Sequence, residues 1–177
     1  MLSQLAKTLE PIFKGLPPLP KSVNDWFAKA WPILALILGI LQLLAAWSLW
    51  HLGHLVNSLV TYTNALSRVY GTGVTVNNLG FFYWAGLIVL VVDAVILLIA
   101  YPGLKARTMA GWNMLFLASV VNVLYGIFSV FDSVYGGVGK LILTLIGSAI
   151  AFYLLFQIRP YYANKAKAAP ISTPGST

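Results

Sequence analysis

The chain has 177 residues, 59% of them hydrophobic and 8% charged, with a formal net charge of +7 and no cysteine. Soluble domains carry about a quarter charged residues, and a chain this short and apolar lacks the polar surface to cover itself in water. Its bases sit beside apolar runs, which points to membrane topology and anionic lipid rather than nucleic acid, and the lack of cysteine removes disulfides, thiol redox chemistry and Fe–S clusters.

The first segment, residues 1–22, has no continuous apolar core of the kind that marks a secretory signal. Leu2, Leu5, Leu9 and Ile12 or Phe13 recur at helical spacing, with Lys7, Glu10 and Lys14 between them. This predicts a short helix lying on the inner membrane surface, ended or bent at Pro11. The stretch LPPLP at 16–20 is a rigid extended spacer. Ser22 and Asp25 resemble a capping box for the helix that follows.

Four runs, at about 31–50, 81–101, 112–131 and 138–158, are long and apolar enough to cross a bilayer, which takes about 20 residues. Aromatic residues mark their ends, among them Trp26, Trp31, Phe81, Trp84, Tyr101, Trp112, Tyr135, Tyr161 and Tyr162, as in an interfacial belt. Between the first two runs, Leu52, Leu55, Leu59, Tyr62, Leu66 and Val69 repeat every three or four residues. That spacing predicts a helical extension over about 51–70, stopped by the glycines at 71 and 73. Residues 163–177 read as a disordered tail. The expected fold is therefore all-α: a four-transmembrane-helix bundle over 23–162 with an N-terminal interfacial helix. Lys7, Lys14, Lys21, Lys29, Lys105, Arg107, Arg159, Lys165 and Lys167 fall on one side and only Arg68 and Lys140 on the other. The positive-inside rule then places both termini in the cytoplasm.

Each run carries a stripe of small or polar residues: Gly39, Gln42 and Ala46; Gly86, Asp93 and Ala100; Ser119, Asn122, Gly126, Ser129 and Ser133; and Thr144, Gly147 or Ser148, and Ala151. Membrane helices pack through such stripes. Asp93 lies eight residues before Tyr101, about 12 Å deep at 1.5 Å per residue. Gln42, Asn122 and Ser148 each lie ten residues from a helix end, about 15 Å deep. These four form a candidate intramembrane polar site. With no Lys or Arg at that depth, Asp93 is expected to be a neutral acid that donates to Gln42 or Asn122. Three roles fit it: a structural clamp, a contact for a partner's basic helix, or a proton or cation site.

His51 and His54, one turn apart, are weak metal candidates, because no third ligand lies nearby to complete a zinc site. Lys105, Arg107 and Arg159 are expected to face lipid. No Ser-His-Asp set or nucleotide loop is present, so no catalytic residue and no cofactor is expected.

The stretches YPGLKARTMAGWNMLFLASVVNVLYGIFS and LLFQIRPYY, with the opening LPPLPKSVNDWFAKAWPILALILGIL, resemble an uncharacterised family of small four-span bacterial integral membrane proteins. The resemblance implies the same topology and a bacterial inner (plasma) membrane, and it carries no activity. Beyond span number the chain is unlike small multidrug transporters, which place a glutamate where Gln42 stands. The expected role is a non-enzymatic accessory or assembly subunit, or a homo-oligomeric scaffold. Its partners would be membrane lipids, other membrane subunits or further copies of itself, and no nucleic acid. A small proton- or cation-coupled transporter or channel using the buried Asp93 is the alternative, and a lipid- or quinone-binding membrane protein the second.

Overall fold

The computed structural model describes residues 2–132 and 137–167. Five α-helices and a short 3₁₀ turn follow in order: α1 (Leu2–Lys14), α2 (Lys21–Tyr70), α3 (Phe81–Lys105), α4 (Met109–Phe128), the 3₁₀ turn Ser129–Phe131, and α5 (Val138–Lys167). Among the described residues, four helices are long and apolar enough to cross a membrane: α2, α3, α4 with its 3₁₀ end, and α5. By this architecture the chain is a multi-pass membrane protein. Tyr135 and Ser133 lie outside the described residues, as does the tail from 168 onward. The helix through Lys167 takes up the first five residues expected to be disordered.

α2 is one helix of 50 residues, about 75 Å long. It starts at Lys21 with Pro20 at the cap and no side-chain cap bond, so Ser22 and Asp25 form no capping box. The Pro20 carbonyl accepts from the Val23 and Asn24 amides (3.0 and 3.1 Å), which closes the first turn. Pro32 removes the amide that would bond the Ala28 carbonyl, and the Tyr162 hydroxyl of α5 donates to that carbonyl instead, at 3.5 Å. α2 ends at Gly71 in the left-handed region (φ 64°). The chain then returns along its last turns, pinned by side chains. Asn64 both donates to and accepts from Val76 (2.8 Å each), and Asn57 accepts from the Leu79 amide (2.9 Å). Asn57 and Asn64 are two turns apart on one face, so they replace the backbone partners an extended segment needs.

The long helices pack as neighbours in sequence: α2 on α3, α3 on α4, α4 on α5. Each joint has a side chain reaching a backbone carbonyl of the neighbouring helix. Tyr83 donates to Leu49 (2.5 Å), Tyr125 to Phe82 (3.2 Å) and Trp112 to Leu155 (2.9 Å). The α3–α4 turn is the tightest crossing. A Cβ on Gly111 would stand 2.3 Å from the Gly103 carbonyl carbon, so both glycines are needed there. That turn ends α3 in a Schellman motif, with Thr108 N–H bonded to Gly103 O (2.9 Å) and Arg107 N–H to Leu104 O (3.0 Å). Arg107 occupies the left-handed position, φ 54°, where glycine is usual. For an L-residue this costs about 1–2 kcal/mol.

The core gathers at the end of the molecule that carries α1 and the α3–α4 turn, around Leu97, Leu104, Trp112, Phe116, Leu155, Phe156 and Tyr162. Trp112 and Tyr162 are fully buried, so neither belongs to an interfacial belt. Trp112 stacks on Phe116, with centroids 5.4 Å apart. α1 runs three residues past Pro11, because proline removes one amide only and the Gly15 amide still bonds the Pro11 carbonyl. It does not simply lie on a membrane surface. Ala6 is buried in the core, Leu2, Leu9 and Phe13 pack against it, and Phe13 stacks on Phe156 at 5.2 Å. Leu5, Ile12 and Leu16 form a second, exposed stripe. At the far end α5 is open: Val138, Leu143 and Ile146 are exposed, and nothing lies within 4 Å of a Cβ on Gly147.

Candidate functional site

Asp93 is 3% exposed and sits on α3 between α2 and α4. Close approach makes this possible: a Cβ on Gly39 would meet Leu98 at 3.0 Å and the Ala94 carbonyl at 3.2 Å. Gln42 Nε2 of α2 donates to Asp93 Oδ2 at 2.9 Å, and Asn122 Nδ2 of α4 donates to Oδ1 at 2.9 Å. One carboxyl group thus ties three helices at mid-span. The direction differs from the expected one: Asp93 accepts from both amides, one on each oxygen. An amide N–H is the donor each neighbour can offer a carboxyl oxygen without a proton being supplied.

Two features keep the site from being self-contained. Gln42 Oε1 is buried with no hydrogen-bond partner. Asn122, which also donates to the Ala118 carbonyl (3.1 Å), is exposed at the surface of α4. Ser148 is not part of the cluster. It has the expected depth, but α5 bears on α4 chiefly through Phe152, Leu155 and Phe156, and its contact nearer Ser148 is Thr144 against Gly126.

The histidines are packed against tryptophan. His51 lies 4.5 Å from Trp47, with Nδ1 2.9 Å from the Trp47 carbonyl, and His54 lies between Trp50 (4.6 Å) and Trp84 (5.4 Å). Among the described residues no three His, Asp or Glu side chains converge as metal ligands would.

The basic residues divide. Lys105 is exposed, with its ammonium 5.9 Å from the Tyr101 ring, and Arg107 is half-buried at the turn. Arg159 does not face lipid. Its guanidinium pairs with Glu10 of α1 and lies 5.0 Å from the Trp112 ring centroid, which leaves its side chain 19% exposed. A guanidinium gains both a carboxylate and an aromatic face there, which lipid tails cannot offer. The sequence signal was Glu10 itself, the one acid in α1.

No family model, no curated protein and no solved structure matches the chain.

Proposed function

We propose that the chain is a non-enzymatic protein of a bacterial inner (plasma) membrane, with both termini cytoplasmic, that works as a homo-oligomeric scaffold assembled through α2. The feature that carries this reading is the free face of α2 beyond the start of α3. Leu52, Leu55, Leu59, Tyr62, Leu66 and Val69 are spaced three and four apart, and their exposure runs from 38% at Leu66 to 77% at Val69. This is the heptad pattern of a coiled-coil seam. The same step continues back through Ser48, Ala45, Leu41 and Leu38, all exposed. Residues 54–70 extend about 25 Å past Gly53, which lies level with Tyr83 and Trp84 near the start of α3. A bilayer core is about 30 Å thick, so this part of the seam would stand in water, where five large apolar residues on one face call for a partner. A second copy in the same membrane brings an identical seam in parallel orientation, and a 3.5-residue repeat is the geometry of such pairing. The exposed Asn122 amide at mid-span also favours a polypeptide neighbour over lipid alone. The distribution of lysine and arginine supports the orientation.

The chain has no cysteine, so single cysteines test the assembly directly. Oxidative cross-linking in membranes is expected at Leu55→Cys, Leu59→Cys and Tyr62→Cys, and not at Ser58→Cys or Thr61→Cys. Cross-linking without that periodicity, or a lone chain in mild detergent, would defeat the scaffold. A particle holding other polypeptides would make the protein an accessory subunit.

The unpartnered Gln42 Oε1 supports a second reading, proton or cation coupling at Asp93, because a buried amide oxygen beside a carboxyl group can coordinate a cation or accept a hydrogen bond from a proton carried on the carboxyl. Proton flux in liposomes that disappears in Asp93→Asn would favour it.

A further inference from the structure

A cavity of about 410 Å³ opens between α2 and the end of α3, on the side of the molecule that carries both termini. Pro32, Ile33 and Tyr101 give it apolar walls, and Lys29, Lys105 and Arg107 supply three cations. No acid lines it. The nearest acid in sequence on α2, Asp25, stands one turn before Lys29 and is not among the lining residues. None of the three cations has an ion-pair partner among the described residues. The larger cavity beside α1, 620 Å³, differs on this point: its cation is Arg159, already paired with Glu10.

Arg107 adds an independent observation. The Schellman turn is closed by backbone groups and by the Thr108 hydroxyl, and no bond of the turn uses the Arg107 side chain, so any residue at 107 that tolerates φ 54° would close it. Glycine does so without strain. A strained residue kept at a turn whose side chain the turn does not use points to a use elsewhere. Here that side chain lines the cavity.

From this juxtaposition we infer that the cavity is a phosphoryl-binding site for an anionic membrane lipid, with Arg107 and the two lysines on the phosphate and the walls of Pro32, Ile33 and Tyr101 against the first part of the acyl chains. A guanidinium meets phosphate oxygens in a fork, and ammonium groups add point charge. The apolar walls suit a ligand with a tail, which inorganic phosphate lacks. The cations stand at the ends of membrane-crossing helices, the level of lipid headgroups.

The test uses the full-length protein in phosphatidylcholine nanodiscs, with thermal unfolding and lipid binding followed as phosphatidylglycerol is added. Phosphatidylglycerol is expected to raise the unfolding temperature, whereas more phosphatidylcholine or inorganic phosphate leaves it unchanged. Arg107→Gly is expected to unfold at a higher temperature than the parent in phosphatidylcholine alone, yet to bind phosphatidylglycerol about fivefold more weakly, the value of one basic residue at a membrane surface. Lys105→Gln should weaken binding similarly without the gain in stability. Equal shifts from both lipids, or undiminished binding by Arg107→Gly, would overturn the site. A full shift from inorganic phosphate would make the ligand a soluble anion and overturn the lipid assignment. The outcome is independent of whether α2 pairs with a second copy.

Discussion

Arg159 of α5 lies over the indole of Trp112 on α4, 5.0 Å from its centroid, and from there meets Glu10 of α1. One guanidinium therefore joins three helices at the end of the molecule where the core is densest. Arg159→Ala is expected to lower unfolding free energy in detergent by about 2 kcal/mol, from a partly buried cation–π contact and a charge-assisted hydrogen bond. Arg159→Lys should recover only part of this, since an ammonium cannot stack. Limited proteolysis should show α1 released in the alanine variant and held in the parent.

Two glycines give opposite outcomes on the same substitution. Gly111→Ala would drive a methyl to 2.3 Å from the Gly103 carbonyl carbon. The expected loss is about 3 kcal/mol or more, because backbone must move. Gly147→Ala meets nothing within 4 Å and should gain about 0.5–1 kcal/mol of helix propensity. Chemical denaturation of the two variants side by side checks both.

Asp93 accepts from Gln42 and Asn122. Asp93→Ala removes two interhelical hydrogen bonds, each worth about 0.6 kcal/mol in measured membrane proteins, and leaves a small cavity. A loss of about 2 kcal/mol is expected. Asp93→Asn keeps one acceptor oxygen and should lose about half as much. Equal losses for the two would show that shape rather than hydrogen bonding holds α2, α3 and α4 together there.

The segment after α2 is held by Asn64 and Asn57 rather than by a ladder of backbone bonds. Asn64→Ala removes both bonds to Val76 and should open residues 72–79 to protease, with a cost of about 1–2 kcal/mol. Ser58→Ala, which loses only a bond to the His54 carbonyl of the same helix, should leave the cleavage pattern unchanged.

The polar site was legible because depth is additive along a helix. Counting 1.5 Å per residue from the ends puts Gln42, Asp93 and Asn122 at one level, and they do meet. The same arithmetic failed for Ser148, because depth does not fix which way a helix leans, and α5 bears on α4 chiefly through aromatics closer to its C-terminal end. Trp112 and Arg159 misled for a related reason. An aromatic and a base near span ends match an interfacial belt and a lipid contact. Trp112 is turned inward by α5, through the Leu155 carbonyl and Phe156, and Arg159 by Glu10 of α1, a contact almost the whole chain apart. Gly103 and Gly111 were hidden in a stretch that reads as a short basic loop. Their role exists only once two helices cross.

The order of packing has a consequence for biosynthesis. Each long helix leans on the one made just before it, so it can settle as soon as it enters the membrane, with little closure entropy to overcome. α1 is the exception. Glu10 precedes its partner Arg159 by 149 residues, and Phe13 waits almost as long for Phe156. The first helix to be made is therefore the last to be seated, because its partners on α5 are made last.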